Sequence, residues 1–245
     1  MPREAIRDLL APGSPDFELP EGSRPVEESA GHFAVRYPAE SPAEVVADGR
    51  FHGMVLLRRQ GAVRKVFRCV PRADPQVYRI AEFRNPLGIP LLAGPVRVFH
   101  EGDYVVTASL DTTPPGKPIG VNLGVEPGIV TARNTRFRET TEGLLGGDTV
   151  LRHDIEVEVR SKLRKAVTVE VFERVPVSHE DDVKVELVDS SPKAEAYDQA
   201  DRGELVEGGW RQTLVIEPGQ TRTCTLAYRI VIPSRNLLKG GNRRD

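Results

Sequence analysis

The sequence is poor in the residues that identify disulfide-rich proteins. Only two cysteines, Cys69 and Cys224, occur among 245 residues, and both lie in alternating apolar patterns typical of strands. A cysteine in such a position usually behaves as a small buried hydrophobe. A disulfide between the two is the alternative, and it would require an oxidising compartment and neighbouring Cα atoms.

Long apolar runs and an excess of charge of one sign are also missing. No stretch approaches the ~18 uninterrupted apolar residues of a membrane helix, so we expect no transmembrane segment. The 34 basic and 36 acidic residues give a net charge of -2, which offers no overall attraction for nucleic acid or an anionic membrane. Aromatic residues make up 6% of the chain, which disfavours a stacking platform for sugars.

A signal peptide is not evident either. The residues Met1–Arg7 include charges, but the apolar run of ~7–15 residues that a signal peptide requires does not follow them. The chain as encoded is therefore expected in the cytoplasm. If it is part of a longer precursor, its compartment stays open.

Motifs for covalent and nucleotide-dependent catalysis are absent from the sequence. There is no Gly-x-Ser-x-Gly turn for an activated serine, and there is no glycine-rich loop that would bind phosphate. We therefore predict no catalytic residue and no cofactor.

The segment Ser178–Asp182 brings a hydroxyl, an imidazole and three carboxylates within five residues. Adjacent side chains of an extended segment diverge, so a solvated loop is the simplest interpretation, and a hard-cation site is the alternative. His153 and His179 could supply two imidazoles to a metal if their strands are neighbours, although no third and fourth ligands are evident. His153, His179 and Asp182 are the metal-ligand candidates, and no complete metal site is predicted.

The N-terminal residues differ in composition from the rest of the chain. Five prolines occur in the first thirty residues, which predicts a linker over residues 1–30 with one short helix, Glu4–Leu10, before Pro12. From Phe33 onward, short β-rich runs alternate with turn residues, as in an all-β protein. The glycine-rich residues 239–245 are expected to form a disordered tail.

The alternation of apolar and charged residues is clearest in Ile155–Val159 and Val183–Leu187, which predicts antiparallel strands with one buried face. We therefore predict an antiparallel β-sandwich of two packed subdomains. The first covers residues 31–140, and the second, residues 141–238, is expected to be immunoglobulin-like.

Four segments are predicted to be the turns of β-hairpins. Trp210 and its alternate neighbours up to Ile216 share an apolar face, which indicates that Trp210 belongs to the core before the last of these turns. The basic run is interpreted as a charged hairpin tip, with a phosphate or lipid-headgroup contact as the alternative. The four segments are Arg59–Ala62, His100–Asp103, the basic run Arg160–Lys165 and Glu217–Gln220.

The order and spacing of several motifs over residues 40 to 238 resemble one bacterial family. The motifs include Asn85-Pro86, the run from Leu91 to Phe99, the run from Leu123 to Ile129, Val175–Ser178, and Trp210 ahead of Glu217-Pro218-Gly219. The chain resembles the C-terminal domain of the mucoidy-inhibitor-A-like family, a domain of unknown function.

The resemblance implies little chemistry. The family name implies a link to exopolysaccharide overproduction in bacteria. Full-length relatives typically carry an N-terminal β domain and a coiled coil before this domain, and we expect neither within these residues. No catalytic residue carries over. The matching residues are interpreted as turn and core determinants: Asn85, Leu92, Gly94, Gly102, Gly124, Pro176 and Trp210.

Two functions from different classes are compatible with these observations. The first is a non-enzymatic binding or scaffold protein that presents loops or a strand edge to an unknown protein partner. The alternative is a hydrolase or carbohydrate-binding protein with a site built from distant loops. An enzyme would require a deep pocket in which carboxylates meet histidines such as His100, His153 or His179.

Overall fold

A computed structural model describes residues 35–40, 44–143, 147–200 and 205–236. The chain divides into two compact units, Met1–Arg59 and Gln60–Asp245. The linker and helix predicted within residues 1–30 and the tail predicted for residues 239–245 lie outside the described residues.

The described residues form strands and no α-helix. Among them there is accordingly no helix that is long and apolar enough to cross a membrane. The strands are β1 (Arg64–Val70), β2 (Asp74–Arg84), β3 (Gly94–His100), β4 (Asp103–Leu110), β5 (Pro118–Val125), β6 (Ile129–Glu142), β7 (Asp148–Ser161), β8 (Val167–Arg174), β9 (Lys184–Ser191), β10 (Glu195–Ala196), β11 (Gly209–Ile216) and β12 (Thr221–Ile232).

These strands form three sheets. A six-stranded sheet has the order β10-β11-β8-β1-β2-β5, a four-stranded sheet has the order β6-β7-β12-β9, and β3 pairs with β4 alone. The pairs are antiparallel except for β1 and β8, which run parallel. The prediction of an all-β protein with packed antiparallel sheets is confirmed.

One apolar core lies between the six-stranded and the four-stranded sheet. Alternate residues of β1, β8 and β11 pack against alternate residues of β7 and β12, as the period of two along a strand dictates. The core residues include Phe67, Cys69, Val169, Val171, Leu214, Ile216, Ile155, Val157, Val159, Cys224 and Leu226. Strands from both sides of the predicted boundary at residues 140 and 141 contribute to it, so the two predicted halves share one core.

The residues before β1 differ from the prediction of β-rich runs from Phe33 onward. Residues 44–63 form no strand, and the apolar side chains of Val46, Phe51 and Val55 are exposed. A β-strand is stabilised mainly by the packing of its buried face, and these side chains have none. The hairpin predicted at Arg59–Ala62 is therefore absent.

Two tight turns connect strands of different sheets, and the prediction that they are hairpins is wrong. Glu217–Gln220 does form a turn, in which Gln220 N donates to Glu217 O at 3.0 Å. It joins β11 of the six-stranded sheet to β12 of the four-stranded sheet. The basic run at residues 160–165 likewise lies where β7 passes to β8, and Leu163 packs against the core. The apolar faces of consecutive strands meet across the core instead of lying side by side.

Most of the residues that carry the family resemblance have a structural role. Asn85 is buried, and its side-chain amide donates to two loop carbonyls at 3.0 Å each. Gly102 and Gly124 have φ angles of 94° and 90°, which side chains disfavour. Trp210 packs against the core, as predicted. Leu92 is exposed, so its interpretation as a core residue is wrong.

A comparison of two glycines tests how tightly the loop before β11 is packed. Gly208 and Gly116 have nearly equal φ angles, 68° and 70°. A Cβ at Gly208 would lie 2.1 Å from the carbonyl oxygen of Val175, whereas a Cβ at Gly116 would meet nothing within 4 Å. We expect Gly116→Ala to lower the free energy of unfolding by about 1 kcal/mol, the conformational cost alone. We expect Gly208→Ala to lower it by about 3 kcal/mol or more, because the backbone must also move.

Urea unfolding of both variants measures this difference. Similar losses of stability for the two would contradict the close approach of Gly208 to Val175.

Candidate functional site

The three metal-ligand candidates occupy separate environments. His153 lies on the core-facing side of β7, where the residue is 2% exposed, whereas His179 lies on an exposed loop. Asp182 lies before β9 and accepts hydrogen bonds from Arg235 and Asn236, both at 2.9 Å. Among the described residues, no group of three or more His, Cys, Asp and Glu side chains is arranged to hold a metal ion.

Asp182 has a structural contact that the sequence did not reveal. The hydrogen bonds from Arg235 and Asn236 lower the pKa of the Asp182 carboxyl below its usual value. This contact ties the start of β9 to the segment that follows β12. The carboxylate is therefore engaged by the chain itself.

His153 is enclosed by aromatic rings from both neighbouring strands. The imidazole stacks on Tyr228 of β12, with ring centroids 4.7 Å apart and planes 5° apart, and it meets Phe137 of β6 at 5.1 Å. Its ring nitrogens form no hydrogen bond with any residue in the described part of the chain. Burial lowers the pKa of His153, and the positive charge of Arg72 lowers it further. The neutral imidazole is a core residue of the four-stranded sheet.

Both cysteines are buried free thiols. Burial raises the pKa of Cys69 to about 12 and that of Cys224 to about 12. Thiols with such values stay protonated at neutral pH, and the thiolate is the reactive form of cysteine. Neither cysteine is an activated nucleophile in this structure.

Buried carboxylates in the protein are paired with arginines. Glu173 of β8 faces the core and accepts hydrogen bonds from both Nε and Nη2 of Arg133, at 2.8 and 3.3 Å. Glu170 accepts a hydrogen bond from Arg68 at 2.7 Å, and Arg68 also pairs with Glu82. These pairs link neighbouring strands and link β6 to the opposite sheet.

Two surface cavities lie against the sheets. One, of about 340 Å³, lies on the outer face of the four-stranded sheet, where Arg136, Arg138 and Asp154 contribute to its wall. The other, of about 410 Å³, lies beside β5 and is lined in part by Glu82 and Lys117. Neither is lined by a histidine. In the described part of the chain, the convergence of histidines and carboxylates that a hydrolase would require is not observed at either cavity.

The hairpin of β3 and β4 exposes a pair of aromatic rings. Phe99 is 57% exposed and Tyr104 is 59% exposed, and their rings meet edge to face with centroids 5.8 Å apart. His100 beside them is exposed as well. This is the predicted hairpin at His100–Asp103, and the two residues in its turn, Glu101 and Gly102, both have positive φ.

Pairing in this hairpin shifts between Val98 and Phe99, where a bulge occurs. A bulge of this kind redirects side chains, which explains why the two rings face solvent together with Val105. The sequence predicted the hairpin from its turn, but the alternation gave no signal that it would form a separate two-stranded sheet.

The fold and these local environments define an all-β sandwich protein with an exposed aromatic hairpin and a sheet face lined by both arginines and carboxylates. Residues 10–234 match the family model described as a domain of unknown function, DUF4139, and the chain belongs to that family. The match begins within the segment that the sequence predicted as a linker. No curated protein and no solved structure gives a significant match to the chain.

The buried histidine predicts an acid-sensitive stability. An unfolded chain binds a proton at His153 near the ordinary pKa of 6.5, whereas the folded protein binds it only at lower pH. Stability should therefore decrease as the pH falls below 6.5. In thermal unfolding measurements, lowering the pH from 7 to 5 should lower the melting temperature of His153→Phe less than that of the unmodified protein. His179→Gln on the exposed loop is the control, and an equal pH response of His153→Phe and the unmodified protein would contradict the expectation.

The Glu173–Arg133 pair predicts a large effect on stability. The Glu173 side chain is 2% exposed, so Glu173→Ala should lower the free energy of unfolding by about 3 kcal/mol, because Arg133 loses its partner in a buried environment. The matched control is Glu186→Ala, whose pair with Arg229 has side chains 43% and 44% exposed. There we expect a loss below about 1 kcal/mol. Equal losses in chemical unfolding would show that Glu173 is not held in a buried pair.

Proposed function

We propose that this protein is a non-enzymatic binding or scaffold protein that acts through contacts with another protein. The observation that carries the proposal is the exposed Phe99–Tyr104 pair on the β3–β4 hairpin. Aromatic side chains dominate the energetics of protein interfaces, and tyrosine is enriched among the residues that contribute most.

The hairpin presents these rings in a fixed arrangement. The Tyr104 hydroxyl lies 3.0 Å from Oγ1 of Thr107, and the rings of Phe99 and Tyr104 contact each other edge to face. A side chain that is already ordered loses little conformational entropy on binding. Covering one such ring should contribute about 2 kcal/mol to a complex. These features support the hairpin as a docking element.

The resemblance to the mucoidy-inhibitor-A-like family supports a process at the bacterial cell envelope, linked to exopolysaccharide regulation. An immunoglobulin-like half at residues 141–238 belongs to the same proposal, because sandwiches of that class commonly present loops and edges to protein partners. In this proposal, the protein takes part in the envelope process by binding a partner protein that is not yet identified.

Photo-crosslinking at the hairpin tests this proposal. The full chain with benzoylphenylalanine at position 99, expressed in its native cells, should crosslink reproducibly to one protein in a fixed stoichiometry. The control is the same substitution at Val215 on β11, which is also 59% exposed but lies on the six-stranded sheet. A second variant adds Tyr104→Ser, which should abolish the crosslink while leaving the unfolding free energy within about 0.5 kcal/mol.

The outcomes separate the two functional classes. A partner protein captured at position 99, absent at position 215 and lost with Tyr104→Ser, supports the proposal. Equal crosslinking at both positions, or a product that contains glycan and no protein, contradicts it and favours the carbohydrate-binding alternative.

A further inference from the structure

The strand β6 forms an edge of the four-stranded sheet. It pairs with β7 along its whole length, and no other described strand pairs with its opposite side. Its first residues are tied to the opposite sheet, since Thr131 donates to Pro75 O at 2.6 Å and Arg133 pairs with Glu173. From residue 134 to residue 142, every side chain is exposed except that of Phe137, which is half-buried. In an antiparallel pair, alternate residues direct their backbone groups to the same neighbour, and Lys162 N donates to Gly128 O, so the even-numbered residues of β6 bond to β7. The backbone N–H and C=O groups of Thr135 and Phe137 point to the open side, where no described strand pairs with them.

Two arginines lie on the outer face of this free edge. Arg136 and Arg138 are two residues apart, so both point to the same face, where they line the cavity of about 340 Å³. Asp154 of β7 lies opposite Arg136 but is engaged by Arg152, and neither Arg136 nor Arg138 forms an ion pair or a hydrogen bond with any residue that the structure describes. Their guanidinium groups are therefore available to a ligand.

The neighbouring strands do not neutralise Arg138. Its cross-strand partner in β7 is another arginine, Arg152, and Arg229 of β12 lies opposite Arg152 in turn. Arg152 is engaged by Asp154 at 2.9 Å, and Arg229 is engaged by Glu186 at 2.7 Å. Like charges directly opposite each other destabilise a sheet. An anionic group at Arg138 would relieve this unfavourable arrangement.

We propose that the free edge of β6 binds an extended acidic segment of a partner protein. The segment adds to the four-stranded sheet as a further strand, and two of its carboxylates, two residues apart, pair with Arg136 and Arg138. Guanidinium groups bind carboxylates in two-pronged pairs, and strand addition satisfies the backbone groups of Thr135 and Phe137 that point to the open side. A free anion would satisfy the arginines but not the backbone. This surface is distinct from the β3–β4 hairpin, so the proposal does not depend on the function proposed above.

A second copy of β6 fits this edge poorly. In an antiparallel pair centred on Phe137, Arg136 of one copy would lie opposite Arg138 of the other, and the two cations would repel. The charge of the edge therefore favours a different, acidic strand. The residue between its two carboxylates would lie beside Phe137, where an apolar side chain packs best.

Binding of a labelled peptide tests the proposal. The probe is a fluorescein-labelled Thr-Val-Asp-Val-Glu-Val-Thr peptide, whose acidic residues are two apart, measured by fluorescence anisotropy with the full chain at low ionic strength. Two matched probes are an isomer with Asp and Glu adjacent and the original peptide with alternate backbone nitrogens methylated. Both should bind at least about tenfold more weakly, because they lose a carboxylate pair or the backbone pairing.

Charge reversal in the protein gives the second arm. The double variant Arg136→Glu with Arg138→Glu should weaken binding of the acidic probe by about tenfold or more, and it should gain affinity for the peptide in which lysines replace the acids. Arg97→Glu on β3 is the control for a change in overall charge. The neutral pair Arg136→Gln with Arg138→Gln should also lose the acidic probe, so the result does not depend on one variant folding.

Three results would overturn the proposal. These are no binding of the acidic probe, equal binding of the isomer or the methylated peptide, and unchanged binding by the variants of Arg136 and Arg138. The variant Phe99→Ser with Tyr104→Ser should bind the probe as the unmodified protein does. A failure of the hairpin to bind its partner can therefore be distinguished from a failure of β6 to bind the acidic peptide.

Discussion

The structure depends on the contact between the inner face of the six-stranded sheet and the inner face of the four-stranded sheet. Because side chains alternate along a strand, each strand gives half of its residues to this contact and half to its outer face. The chain brings the two faces together by crossing between sheets at the turns after β7 and after β11. The apolar faces of β11 and β12 therefore face each other, with Ile216 and Leu226 both in the core.

The polar groups within this contact are paired across it. The side-chain amide of the buried residue Gln212 in β11 donates to the carbonyl of Thr225 in β12 at 3.0 Å, which joins the two sheets. Arg133 of β6 reaches Glu173 of β8 across the same space. A buried polar group without a partner is costly, so these pairs fix how the sheets align as well as how far apart they lie. His153 has no such partner among the described residues, but its lowered pKa avoids a buried charge between the rings of Phe137 and Tyr228.

Sequence periodicity predicted the strands better than their pairing. Ile155–Val159 lies within β7 as predicted, and Trp210 faces the core, because alternation reports directly which side of a strand is buried. The same alternation cannot distinguish a hairpin from a crossing between sheets, because both bury one face of two consecutive strands. This is why the turn at Glu217–Gln220 was placed correctly and its strands were paired incorrectly.

The candidate sites show a similar division. The sequence singled out His153, His179 and Asp182 by residue type, but residue type does not reveal burial, and His153 is a core residue. The hairpin turn at Glu101 and Gly102 was predictable from its glycine, whereas the bulge that exposes Phe99 and Tyr104 depends on pairing register. Arg136 and Arg138 gave no signal, since exposed arginines are common. They became notable only because the sheet places Arg152 opposite Arg138.

Both surfaces that we assign to binding lie on strands of which one side pairs with no other described strand, and the protein protects each of them differently. A free strand edge invites pairing with other chains, and proteins commonly restrain it with charge or with a bulge. The β3–β4 pair has a bulge beside Phe99 and Tyr104, and β6 carries arginines at residues 136 and 138. On β6, the same charges that repel a second copy attract an acidic strand, so protection against self-association and selection of a partner follow from one arrangement of side chains.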